Sequence, residues 1–111
     1  MASPWRRRLL CVAAALTAVA CLSPTLPLPP PSEPMVTGPD ETGVVHLQGT
    51  VRPTAWVFAI NRATETGSFA AAEENGHYDL ELRGTVGDEI VMWYELDGEG
   101  SEALTFTLKK P

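Results

Sequence analysis

Asn75-Gly76-His77-Tyr78-Asp79-Leu80-Glu81-Leu82 is the stretch whose reading decides the fold. Asn-Gly is the strongest short-range signal for a type I′ hairpin turn, because both central residues of that turn need a positive φ. The residues after it alternate. In an extended chain Tyr78, Leu80 and Leu82 fall on one side, and His77, Asp79 and Glu81 on the other. That is a strand with one face in a core and the other in water. Residues 68–73 are alanine-rich, but Phe69 and the turn frame them as the other arm of the hairpin.

Working outward, residues 44–51 (VVHLQGTV) also alternate, with Val45, Leu47 and Val51 on one side. Gly49 interrupts the side-chain row, which predicts a bulge or a close backbone approach. Arg52-Pro53-Thr54 is a turn, since Pro53 lacks the N–H needed for pairing. Residues 56–61 (WVFAIN) and 89–96 (EIVMWYEL) are apolar on both faces. Such strands are either covered on both sides or carry an exposed patch. Residues 62–67, 84–88 and 97–102 are polar loops. In 104–109, Leu104, Phe106 and Leu108 point inward and Thr105, Thr107 and Lys109 outward. Six strands punctuated by turns predict an all-β domain over 44–111, a sandwich or small barrel. It contains no cysteine, so no disulfide reinforces it, and no internal repeat.

The first twenty residues read as an export signal. Arg6-Arg7-Arg8 is followed by twelve apolar residues, 9–20, too few for a span of about 20. Ala18-Val19-Ala20 precedes Cys21. This tetrapeptide resembles a bacterial lipobox, with Ala18 where leucine is commonest. In that signal the cysteine sulfur receives a diacylglycerol and becomes the mature N-terminus. Cys11 is lost with the leader, and a lone thiol in an oxidising compartment is a liability unless modified. The predicted partner is thus a lipid membrane, reached through Cys21, and the location is the cell envelope. Leu22, where aspartate would resemble an inner-membrane retention signal, leans the assignment toward the outer membrane. A plain secretory signal is the alternative, giving a secreted protein. Residues 22–43 hold seven prolines and no periodicity, which predicts a disordered tether reaching about 65 Å at 3.1 Å per residue. Removing three arginines takes the net charge from −6 to −9, which disfavours nucleic acid.

The order of the domain's pieces resembles the carboxypeptidase regulatory-like domain, a transthyretin-like Greek-key β-sandwich of six to seven strands. The residues that carry the resemblance are Gly49-Thr50-Val51, Pro53 with Ala55 and Val57, and Asn61 with Thr64. Gly76, Tyr78 and Leu80, Gly87-Asp88-Glu89-Ile90 and the closing strand 104–108 complete it. The resemblance spans residues 44–110 and implies a non-catalytic accessory or adhesion-like domain with no catalytic residues and no cofactor. Fold likeness alone does not establish function.

The residue chemistry points the same way. His46 and His77 are the only histidines, on predicted outward faces, short of the three or four ligands of a zinc site. The acidic loop places Asp97, Glu99 and Ser101 at alternate positions, a weak calcium candidate beside the plainer reading of a charged, solvated loop. An EF-hand is excluded because its sixth position is Glu102 rather than glycine. No nucleophile elbow and no phosphate loop occurs. Glu73 and Glu74 are adjacent and point to opposite faces of a strand. The sharper candidate is aromatic. Trp56, Phe58 and Trp93 lie on the strands that are apolar on both faces. If one face is open it forms a platform for an envelope protein or a glycan. Tryptophan and phenylalanine are usually buried, so the favoured expectation is that both faces are covered within the fold or in a homodimer.

Overall fold

The computed structural model describes residues 26–111. The stretch expected as an export signal and the expected lipidation residue Cys21 lie outside the described residues. Eight strands follow: β1 (Met35–Thr37), β2 (Val44–Thr50), β3 (Trp56–Asn61), β4 (Thr66–Ala71), β5 (His77–Arg83), β6 (Glu89–Leu96), β7 (Glu99–Gly100) and β8 (Leu104–Thr107). All ladders between them are antiparallel. One sheet has the order β1-β2-β5. The other runs β4-β3-β6-β7, with β8 also on β6. The chain changes sheet between β2 and β3, between β4 and β5, and between β5 and β6. Strand β6 therefore returns to lie beside β3, and the sandwich is wound as a Greek key.

The alternating rows form the core. Val45 and Leu47 of β2 and Tyr78, Leu80 and Leu82 of β5 are buried in the same cluster as Val57 and Ala59 of β3 and Ile90, Met92 and Tyr94 of β6. Burying each large aliphatic side chain contributes about 1.5–3 kcal/mol. Gly49 is the predicted close approach. The β2–β5 register runs unbroken from Val44↔Arg83 to Thr50↔His77 and sets Gly49 opposite Tyr78. A Cβ at Gly49 would lie 2.7 Å from the Tyr78 hydroxyl, so the missing side chain makes room for the ring.

Two expectations change. Asn75-Gly76 does not form a type I′ hairpin. Only Gly76 has a positive φ, 85°. Its N–H donates to Glu73 O at 2.8 Å, and the Glu73 N–H donates to His77 O at 2.8 Å. Residues 68–73 are not the partner of β5 either, because β4 pairs with β3 and β5 with β2. The turn is a corner between sheets. The seven-residue ladder with β2 places β5 in the opposite sheet from β4, with its apolar row in the core between the sheets. Gly76 is required there because a Cβ would collide with Val51 O. The turn with both central φ values positive is Asp97-Gly98, at 51° and 80°, which joins β6 to β7 through the Leu96↔Glu99 pair.

The stretch expected as a tether also contributes to the sandwich. Met35, Val36 and Thr37 pair with Gln48, Leu47 and His46. The Asp40 carboxylate accepts from the Thr42 N–H at 2.8 Å, the Thr42 hydroxyl at 2.7 Å and the Val44 N–H at 2.9 Å. These bonds hold the carboxyl below the usual range and close the turn into β2. Further upstream, the Leu28 N–H donates to Gly100 O, and the Glu102 N–H donates to Leu28 O. Short strands β1 and β7 thus join the six read from sequence.

Among the described residues one polar side chain is fully buried. Asn61, at the end of β3, donates from Nδ2 to Arg83 O at 3.0 Å and to Asp88 Oδ2 at 2.8 Å. Its Oδ1 accepts from the Ala63 N–H at 2.9 Å. Asp88 Oδ2 also accepts from the Thr85 N–H at 2.9 Å and the Thr85 hydroxyl at 3.1 Å. The bond from Asn61, then those from Thr85, hold the Asp88 carboxyl below 3.8.

Asn61→Ala removes these part-buried bonds and should lower stability by about 1–3 kcal/mol, read by chemical denaturation. The pH dependence follows from the depressed Asp88 value. Its contribution is complete above the unfolded value near 3.8 and is lost as pH falls through the lower folded value. Asp88→Asn should therefore flatten the acid limb of a melting-temperature profile. An unchanged acid limb would show that Asp88 does not carry it. Gly49→Ala should destabilise by about 1–3 kcal/mol through overpacking. Adding Tyr78→Phe, which removes the closest atom and a buried hydroxyl with no partner among the described residues, should restore part of that loss.

Candidate functional site: an open aromatic sheet face

Strand β3 is central in its sheet, between β4 and β6. Its odd residues Val57, Ala59 and Asn61 point into the core. Trp56, Phe58 and Ile60 therefore point outward. On β6 the same alternation sends Ile90, Met92 and Tyr94 inward and Val91 and Trp93 outward. Cross-strand register brings the outward groups together. Phe58 is paired with Phe69 of β4 on one side and Trp93 of β6 on the other.

The rings form a continuous row across three strands. Phe58 and Trp93 stack at 5.4 Å with 12° between their planes. Phe58 and Phe69 are tilted, with centroids 6.2 Å apart. Trp56 packs on Phe69 at 5.9 Å. Each such pair contributes about 0.5–1.5 kcal/mol beyond its area. Nothing among the described residues covers the row. Trp56 is 48% exposed and Phe69 65% exposed, while Phe58 and Trp93 are half-buried by their neighbours. Trp56, Phe58 and Phe69 line a shallow depression. Ile60 and Val91 extend the apolar surface, and Glu95, paired with Trp56, gives it one acidic margin. Of the expectation that both faces are covered within the fold or in a homodimer, the first part does not hold among the described residues.

Trp56, Phe58 and Trp93 are thus brought together as one surface. Phe69 belongs to it and was not among the sequence candidates. Its membership depends on the β3–β4 register, whereas the sequence alone predicts a loop over 62–67 and a strand over 68–73 paired with β5. Tyr94, the other aromatic of β6, is 5% exposed and belongs to the core.

The acidic loop is differently built. Asp97 occupies the first of the two left-handed positions of the β6–β7 turn, and Glu99 is exposed on β7. The Ser101 hydroxyl accepts from the Tyr94 N–H and donates to Glu102 O, both at 2.9 Å. Among the described residues no three His, Cys, Asp or Glu side chains converge on a point. On the opposite sheet, His46 lies between Asp79, 3.5 Å away, and Glu81, 3.6 Å away, in an exposed polar row. A hydrogen bond from Gln48, and after it the nearby His46, lowers the Asp79 carboxyl. This is a solvated face, as its alternation predicts. No known protein family, curated protein or solved structure matches the chain.

The geometry separates surface aromatics from core ones. Phe69→Ala should cost only about 1 kcal/mol, the value of its ring contacts. Tyr94→Ala, on the other face of the same sheet, should cost about 3–5 kcal/mol. Equal losses in thermal unfolding would show that the outward row is buried in the native state.

Proposed function

We propose that the chain is a non-enzymatic, lipid-anchored cell-envelope protein that acts by binding. The observation that carries this reading is the open row Phe69–Phe58–Trp93 with Trp56 beside it. A contiguous apolar patch on an otherwise acidic domain is the usual mark of an interaction surface. Aromatic rings supply contact area at low entropic cost and stack on sugar rings as readily as on apolar side chains. The partner on this reading is an envelope protein or a glycan. Cys21, through a diacylglyceryl group, holds the chain to a membrane, which Leu22 leans toward the outer one. The resemblance to the carboxypeptidase regulatory-like domain supports an accessory role without catalysis. A secreted carbohydrate-binding or enzyme-accessory module is the second reading, favoured by the exposed indole of Trp56, on which a sugar ring can stack.

The anchor and the surface are tested separately. Mass spectrometry of the mature N-terminus should find a diacylglyceryl addition on Cys21. A free, unmodified Cys21 on protein in the culture medium would favour the secreted module. Wild type, Trp56→Ala and Phe69→Ala would be compared on a glycan array and in crosslinking pull-downs from the cell envelope. Binding should fall at least tenfold in both variants with the melting temperature nearly unchanged. Retention of binding in both would remove the aromatic row as the site.

A further inference from the structure

A second surface lies at the side of the sandwich, where the two sheets part. Strand β1 edges one sheet and β8 edges the other. Between them runs a groove of about 440 Å³. Val36 and Phe106 give it an apolar floor, Thr105 and Thr107 form the β8 wall, and Lys109 and Lys110 lie at its end.

The backbone of this groove is free to pair. The Leu108 N–H donates to Asp88 O and Leu108 O accepts from the Gly87 N–H, so Leu108 bonds toward the β6 side. Alternation along an antiparallel strand then turns Phe106 toward β6 and the N–H and C=O groups of Thr105 and Thr107 away from it. The same parity applies on β2. Gly43 and Val51 bond toward β5, so His46 and Gln48 bond toward β1, and the Val36 backbone faces the groove. Exposed edges of this kind are templates for another strand.

The chain already uses the neighbouring part of this edge. Leu28 pairs in parallel with Ser101, through its bonds to Gly100 and Glu102. Pro29-Pro30-Pro31 then ends the pairing, because proline has no N–H to donate. The edge at 100–102 is thus capped, and the edge from Thr105 onward is left open. A second copy paired antiparallel about Phe106 has only residues 104–108 to share, because Leu28 occupies the backbone at Glu102.

Charge selects the occupant. After Cys21 the chain has five basic residues against fourteen acidic ones, and two of the five are Lys109 and Lys110. Among the described residues neither forms an ion pair, whereas Arg62 is engaged with Glu89 at 2.9 Å. Glu33 on the β1 wall is the one acidic side chain lining the groove. We propose that the β1–β8 seam binds an acidic, extended peptide segment of another protein as an added strand on the free edge of β8. Its backbone pairs with Thr105 and Thr107, its apolar side chains rest on Val36 and Phe106, and its carboxylates meet Lys109 and Lys110. This goes beyond the aromatic face and does not depend on it.

The probe is a fluorescein-labelled hexapeptide, Val-Asp-Val-Asp-Val-Asp, titrated into the full chain and followed by anisotropy. Saturable binding is expected, with amide shifts at Thr105 and Thr107. Lys109→Glu with Lys110→Glu should weaken it at least tenfold, and Trp56→Ala should leave it unchanged. Thr107→Pro removes a free N–H without touching the β6 ladder and should also abolish binding. The same peptide with alternate amides N-methylated should fail to bind wild type, a result independent of whether any variant folds. The proposal is overturned by no saturable binding, by equal binding of a lysine-for-aspartate peptide, or by full binding of the N-methylated peptide. A dimer of the free chain with Thr105 and Thr107 protected from hydrogen exchange would also overturn it, by assigning the seam to a second copy.

Discussion

The buried amide of Asn61 ties the two sheets together. It stands at the end of β3 in one sheet and bonds to Arg83 O at the end of β5 in the other. Through Asp88 it also fixes the loop that returns the chain to β6. Apolar packing between the sheets is strong but tolerant of sliding, and no cysteine lies in the domain to prevent it. A buried amide with three partners is not tolerant, since any shift leaves a desolvated donor or acceptor unmatched. With β3 and the start of β6 held at one node, the pairing Asn61↔Ile90 is set, and with it Phe58↔Trp93 three residues along each strand. The stacking of the surface aromatics is therefore a consequence of a polar contact at the far end of their strands.

The two sheets treat their outer faces differently. The β2–β5 face is polar, with His46, Gln48, Asp79 and Glu81 in mutual contact. Those groups are as well solvated unfolded as folded, and exposed ion pairs contribute about 0–1 kcal/mol. The β3–β6 face exposes rings that a monomeric domain would gain stability by covering. Its central strands could carry polar side chains there at no cost to the core, because alternation makes the faces independent. The aromatic row therefore answers to a requirement other than folding of the isolated chain.

Much of this was legible in the sequence, and the failures have particular causes. The six long strands and their inward rows follow from period-two alternation, which is local. Gly49 announced a close approach because a side-chain row lacked one member. Asn75-Gly76 misled because a turn's type depends on which strands flank it. The partner of β5 lies some thirty residues upstream, and pairing with β2 set the geometry. Strand β1 was hidden because three residues between Pro34 and Pro39 have no periodicity to read, and edge pairing with β2 supplies their order. Whether Trp56 and Trp93 face solvent could not be read locally either, since it depends on whether a third layer exists. Phe69 needed the register of β4 before it could join them.

The aromatic face and the open seam meet through β6. Its side chains Val91 and Trp93 form part of the face, and its backbone carries β8, whose free edge forms the seam. Recognition at the face acts along the normal to the sheet through side chains, and recognition at the seam acts in the plane of the sheet through backbone groups. An occupant of one does not block the other. Adding a strand in the plane would, however, order β8 against β6, and so stiffen the strand on which Trp93 stands.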